Sequence, residues 1–122
     1  MTKSINKKIL VVDDEPDILE FLRAILEDEG YTVATTDKGE YVEELHNGGL
    51  PHLIILDMLL SGKDGREIVK HLKRQDETRH IPVIMFSAHP SAEAAARTAG
   101  ADDFLAKPFE IDDLLVKIAL FI

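Results

Sequence analysis

Four short runs of apolar, β-favouring residues punctuate the chain: Ile9-Leu10-Val11-Val12, Thr32-Val33-Ala34-Thr35, Leu53-Ile54-Ile55-Leu56 and Val83-Ile84-Met85-Phe86, with a weaker fifth at Phe104-Leu105. The first, third and fourth are apolar without interruption, the pattern of strands buried on both faces of a parallel sheet. Helices must then cover both faces, and the intervening segments have the spacing for them. Over residues 16–29, Ile18, Leu22, Ile25 and Leu26 recur every three or four positions and Gly30 supplies a stop. The closing stretch repeats the pattern with Ile111, Leu114, Leu115 and Ile118, residues 67–75 and 39–46 carry weaker versions, and the alanine-rich segment 92–101 reads as a small-residue helix. Strand and helix alternate five times. This predicts an α/β fold of the (βα)5 type, a doubly wound, five-stranded parallel sheet whose ligands sit outside the C-terminal strand ends at a topological switch point.

A length of 122 residues fits one compact domain, residues 1–122, with no room for an output domain in this chain. With 45% apolar and 30% charged residues it has the composition of a folded soluble protein. The absence of cysteine excludes disulfides, thiol nucleophiles, thiolate zinc and iron–sulfur clusters, so any chemistry must use oxygen or imidazole. A formal charge of −9, from 14 Lys and Arg against 23 Asp and Glu, repels phosphate backbones and argues against direct nucleic-acid binding. The run 9–12 is too short for a signal-peptide core, and no apolar run approaches the roughly 20 residues that span a bilayer, so a cytoplasmic protein without membrane insertion is expected.

The residues that follow the strands carry the chemistry. Asp13, Asp14 and Glu15 follow the first, Asp57 the third, Ser87 the fourth, and Lys107 with Pro108 the fifth. Carboxylates that converge on one place repel each other, and a cation relieves them. Hard oxygen donors without cysteine or clustered histidine point to Mg²⁺ rather than zinc. A carboxylate nucleophile, a hydroxyl donor and a mobile lysine charge are also the parts needed to accept a phosphoryl group.

In their order and spacing, the stretches Ile9-Leu-Val-Val-Asp-Asp-Glu15, Leu53-Ile-Ile-Leu-Asp57, Val83-Ile-Met-Phe-Ser-Ala88 and Gly100-Ala-Asp-Asp-Phe-Leu-Ala-Lys-Pro-Phe109 resemble the receiver domain of two-component response regulators, the CheY-like, flavodoxin-like fold. The resemblance covers nearly the whole chain and implies strand order 2-1-3-4-5. It implies that Asp57 is the phosphoacceptor and that Asp13, Asp14, Asp57 and the backbone carbonyl of Leu59 hold Mg²⁺, with Mn²⁺ as a substitute. Ser87 and Phe104 match the switch pair, and Lys107 would bridge to the phosphoryl group ahead of a cis Lys107–Pro108 bond. Leu59 and His89 fall at positions that tune hydrolysis of the acyl phosphate. Gly65 matches the glycine of the loop after the acceptor, where Ser61 and Lys63 replace the usual Pro and Met and make the loop more charged and less rigid. The interval from Ser87 to Gly100 is about two residues shorter than usual, so the fourth helix is expected to be short or tilted.

The implied partners are a sensor histidine kinase or histidine phosphotransfer protein upstream. Downstream stands a protein partner or fused output domain, reached through the face of the fourth helix, fifth strand and fifth helix; a phosphorylation-dependent homodimer is a further expectation. The implied role is a signalling phosphoacceptor that catalyses only its own phosphotransfer and slow autodephosphorylation. An aspartyl-phosphate phosphatase of the haloacid-dehalogenase type needs a second Asp two residues after the nucleophile, where Leu59 stands. A phosphorylation-independent scaffold leaves the complete acceptor, metal and lysine set without purpose. Taken singly, Asp13 and Asp14 also suit a helix entry. Ile18, Leu19 and Leu22 fit a kinase-docking stripe or core equally well. His46, His52, His71 and His80 show no ligand spacing, and the basic residues from Lys63 to Arg79 read as a mixed, solvated helix face.

Overall fold

A computed structural model describes residues 7–43, 49–60 and 62–122. Five parallel strands, β1 (Lys8–Val12), β2 (Thr32–Thr36), β3 (Leu53–Asp57), β4 (Val83–Ser87) and β5 (Asp103–Ala106), form one sheet in the order β2-β1-β3-β4-β5. The switch point of that order lies between β1 and β3, whose neighbouring ends are Asp13 and Asp57. Five α-helices alternate with the strands: α1 (Pro16–Asp28), α2 (Gly39–Glu43), α3 (Gly65–Lys73), α4 (Glu93–Ala99) and α5 (Ile111–Phe121). Among the described residues no helix is long and apolar enough to cross a membrane.

The period-2 alternation of each strand sorts its apolar residues into two cores. Leu10, Val12, Ile54, Leu56, Val83, Met85 and Phe104 face the side covered by Val42 of α2, Ile68, Val69 and Leu72 of α3 and Ala96 of α4. Ile9, Val11, Leu53, Ile55, Ile84, Phe86 and Leu105 face Leu22 and Leu26 of α1 and Leu114 and Ile118 of α5. Both sides of β1, β3 and β4 are therefore lined with apolar residues, which is why these strands show no polar alternation.

Helix boundaries follow local chemistry. Pro16 opens α1 at a position where a missing N–H costs nothing, and Gly30 ends it with φ +99°. Residues 67–75 were the expected third helix; it begins two residues earlier, because the Asp64 carboxylate accepts from Arg66 N–H at 2.9 Å and caps it, and ends two residues earlier as Arg74 and Gln75 close onto His71 and Leu72 carbonyls. The second helix is described only to Glu43, so the rest of the 39–46 expectation, His46 included, lies outside the described residues, as does Ser61. After β4 the chain makes a 3₁₀ turn at Pro90–Ala92, leaving α4 seven residues long, as the shortened interval predicted.

Side chains close both open sheet edges. Thr32 N–H donates to the Lys7 carbonyl and Asp13 N–H to the Thr36 carbonyl, so Val33 and Thr35 turn their backbone groups outward. There Arg23 of α1 donates to the Val33 carbonyl (3.1 Å) and to Thr35 Oγ1 (3.2 Å). On the far edge Asp103 binds Arg97 of α4 (3.0 Å) and Lys117 of α5 (3.1 Å) while accepting from Phe104 N–H (2.8 Å). Burial alone would raise its pKa, but the bonds from Phe104 N–H, Lys117 and Arg97 hold it below the usual carboxylate range. The basic face after the acceptor is a mixed one, with Arg66–Asp64, Lys70–Glu67 and Arg79–Asp76 pairs. Lys73 departs from that expectation: half-buried, it binds Asp102 (2.9 Å) and the Ile81 carbonyl (2.8 Å), tying α3 to the start of β4.

Replacing Leu22, 1% exposed between α1 and the sheet, by Ala is expected to lower unfolding free energy by about 2–5 kcal/mol. Phe21→Ala, one position along on the open side at 52% exposed, is expected to cost less than about 1 kcal/mol. Urea denaturation of the two variants measures the difference.

Candidate functional site

The C-terminal ends of β1, β3, β4 and β5 deliver Asp13, Asp57, Ser87 and Lys107 to one edge of the sheet. Oxygens of Asp13, Asp14 and Asp57 lie within 4.8 Å of one another. Asp13 is fully buried; one oxygen accepts from Glu15 N–H (2.8 Å) and the other from Lys107 Nζ (3.3 Å). Lys107 Nζ also stands 3.7 Å from Asp57 Oδ1 and 3.8 Å from Glu15 Oε1.

Asp57 is buried at the end of β3, and its pKa is pushed up to about 6. Burial is the main cause and the Asp13 charge adds to it, with a smaller push from Asp14; Lys107 and the Leu59 N–H, which donates to the carboxylate, pull the other way. Three carboxylates stand together here with one lysine beside them, so the cluster holds more negative charge than that lysine offsets. A divalent cation bound by oxygen donors suits that surplus, so the donor set fits Mg²⁺ in kind and in proximity.

Around the carboxylates lies a cleft of about 210 Å³ whose walls include Asp57, Lys107, Ser87, Leu59 and His89. Ser87 is 3% exposed, and its Oγ accepts from His89 N–H (3.1 Å), which leaves the hydroxyl proton free to be donated. Leu59 is 58% exposed at the mouth, and His89 is exposed beside it. Phe104 is buried in the core on the α4 side, one strand away from Ser87. The Lys107–Pro108 bond is cis.

In the loop after Asp57, Leu59–Leu60 and Lys63–Asp64 pair antiparallel across Gly62, and Gly65 N–H donates to the Met58 carbonyl at 2.7 Å. A Cβ on Gly65 would stand 2.6 Å from the Asp57 carbonyl oxygen and 2.8 Å from that of Met58, so glycine here sets how closely α3 approaches the acceptor.

One feature had no sequence signal of its own, and a second had only a partial one. The Phe86 ring lies under Lys107, with Nζ 4.7 Å from its centroid. An apolar groove of about 430 Å³, formed by Ile18, Phe21 and Leu22 of α1 with Pro108 and Phe109, opens next to Lys107. The helical spacing of Ile18, Leu19 and Leu22 left core and docking surface open, and Leu19 packs against the core on the α1 and α5 side rather than lining the groove. Leu22 is buried and serves both, while Phe21 is the exposed apolar residue of that wall.

A five-stranded parallel sheet of this order with acidic, hydroxyl and lysine groups on successive strand ends defines a CheY-like α/β domain. The response regulator receiver domain family matches over residues 9–119, and the chain belongs to it. It is 41% identical over 115 residues to the phosphate regulon transcriptional regulatory protein PhoB of Escherichia coli, covering 92% of this chain and 50% of that protein, so it spans half the length of that relative. A putative response regulator from Chloroflexus aurantiacus superposes with a TM-score of 0.89 at 33% identity, covering 95% of this chain and 97% of the other. The response regulator protein TrrA of Thermotoga maritima, solved in complex with Mg²⁺-BeF, gives 0.85 at 31% identity over 95% and 99%.

A carboxylate with a raised pKa binds its proton more readily in the folded chain than in the unfolded one, so ionised Asp57 opposes folding. Its contribution is absent below about pH 4, where both states are protonated, and grows as pH rises through 6. Asp57→Asn is therefore expected to raise the urea midpoint at pH 7.5 in chelator, and the gain over the native chain should shrink toward zero near pH 4. Midpoints measured across that range give the sign directly.

Proposed function

We propose that this receiver takes a phosphoryl group on Asp57 from a phosphohistidine of a sensor kinase or phosphotransfer protein. The observation that carries the reading is the juxtaposition of a buried, charge-crowded Asp57 with Asp13, Asp14 and Lys107 at the sheet's switch point. An Asp57 carboxylate oxygen attacks phosphorus and the P–N bond to the donor imidazole breaks. The bonding pair stays on that nitrogen, which takes a proton from solvent, and the product is an acyl phosphate. Lys107 offsets the charge on the phosphoryl oxygens and Ser87 donates its hydroxyl proton to one of them. Asp13, Asp14, Asp57 and the Leu59 carbonyl would hold Mg²⁺ or Mn²⁺, which supplies positive charge against the carboxylates and the incoming group.

The groove of Ile18, Phe21, Pro108 and Phe109 supports docking of the donor protein, since it is apolar and opens beside the acceptor. The α4-β5-α5 face, joined through Asp103, is the surface that would change partner affinity, with Ser87 and Phe104 as its switch pair. The reader of that face is a separate protein, a fused output domain or a second copy of this chain. A length of half the PhoB relative is consistent with a receiver working as one unit, residues 1–122, of such a regulator. On this reading the chain acts in the cytoplasm, contacts no nucleic acid itself, and catalyses only its own phosphotransfer and slow dephosphorylation.

Incubation with a panel of phosphorylated histidine kinases is expected to give Mg²⁺-dependent labelling that Asp57→Asn abolishes; labelling that survives the substitution sinks the assignment. Leu59, apolar at the cleft mouth, would limit attack by water, so a polar residue there is expected to shorten the phosphoform lifetime several-fold. Following loss of label from isolated phosphoprotein checks this, and an unchanged half-life would show that Leu59 does not gate water.

A further inference from the structure

Lys107 has a four-carbon stem and three carboxylates around its ammonium, one of them the 64%-exposed Glu15. Charge alone does not fix such a group, because each carboxylate pulls in its own direction and the exposed one is solvated. Below the ammonium is a neutral surface. Phe86 is 1% exposed, its ring face receives Nζ at 4.7 Å from the centroid, and the Phe109 ring meets it at 5.9 Å and 62°, fixing the plane. The Phe86 carbonyl also accepts from Met58 N–H (2.9 Å), so the main chain that carries the ring is tied to the residue that follows Asp57.

We propose that Phe86 is a positioning residue for phosphotransfer: its ring face holds the Lys107 ammonium beside Asp57. The inference rests on the reading of Asp57 as phosphoacceptor. A carboxylate in the same place would neutralise the lysine and compete with the phosphoryl oxygens for it. An aromatic face attracts the cation without cancelling its charge, and it does so equally well before and after Asp57 becomes an acyl phosphate. A Leu or Met at 86 keeps the position apolar with no such face.

The test varies the ring's electrostatics at nearly constant shape, with 4-fluoro-, 3,5-difluoro- and 3,4,5-trifluorophenylalanine at position 86 of the full chain. The rate of phosphorylation by phosphoramidate with Mg²⁺ is read by intact mass, and stability by urea midpoint. The rate is expected to fall in steps, reaching about 3- to 10-fold for the trifluoro ring, with the midpoint unmoved. In a Lys107→Ala background the same series is expected to be flat. A flat series with Lys107 present, or a graded one with Lys107 removed, overturns the inference and leaves Phe86 as core packing. A chain that takes no phosphoryl group even with the native ring overturns the phosphoacceptor reading and this inference together.

Discussion

Lys107 Nζ lies 3.3 Å from Asp13 and 3.7 Å from Asp57, two buried carboxylates brought from strands that are 44 residues apart in sequence to the same end of the sheet. Burying these charges works against folding, since the raised pKa of Asp57 shows that desolvation and Asp13 outweigh what Lys107 returns. The cluster persists only because the sheet beneath it is over-determined. Leu10 pairs with Ile54 and Ile54 with Val83, and each strand inserts apolar side chains into both cores. A slip of one residue in any central strand would exchange its two faces and take its terminal polar group out of the cluster.

The fold was legible because continuous apolar runs and helical spacing are local signals, and five strand–helix alternations leave few ways to connect them. The cluster of Asp13, Asp14, Asp57, Ser87 and Lys107 was legible for a related reason: each sits at or just past a strand end, so locating the strand locates the residue. The hairpin at Leu59–Leu60 and Lys63–Asp64 was not, because its pairing depends on Gly62 and on the close seat of Gly65 against Asp57 and Met58. Phe86 read as one more apolar residue in a buried strand, and only the register of β4 with β5 brings Lys107 over its ring. The roles of Lys73 and Asp102 were likewise hidden in a run of charges, since their pairing spans 29 residues.

The helices are unequally anchored, and this sets where a change at Asp57 can travel. α3 buries Ile68, Val69 and Leu72, whereas α4 buries only Ala96 and Ala99. At roughly 25 cal/mol per Å² of apolar surface, moving a helix held by two alanine methyls costs far less than moving one held by three large side chains. α4 follows Ser87 after a 3₁₀ turn at Pro90–Ala92, and the lead into that turn is held by the bond from His89 N–H to Ser87 Oγ. On the proposed reading, a hydroxyl drawn toward a phosphoryl group would give up that bond, so the chemistry and a lightly packed helix share an atom.

Magnitudes favour a shift of populations over a large remodelling. Reversing a two-state balance from 1:99 to 99:1 takes about 5.5 kcal/mol of differential binding. On the proposed reading, phosphorylation adds hydrogen bonds from Lys107 and Ser87 to an anion, each worth roughly 1.5–3 kcal/mol when charge-assisted. Two such bonds come close to that requirement, provided that the alternative arrangement keeps both cores intact. Arg97 and Lys117 meet on Asp103, whose carboxylate also accepts from Phe104 N–H, so α4 and α5 are joined through the strand that carries Phe104, the proposed aromatic switch residue. An element as lightly packed as α4 can then move while α1, α3 and α5 keep their apolar anchors. On that reading, the energy that phosphorylation of Asp57 would supply is matched to a displacement of the α4 side of the domain and is too small to disturb the rest.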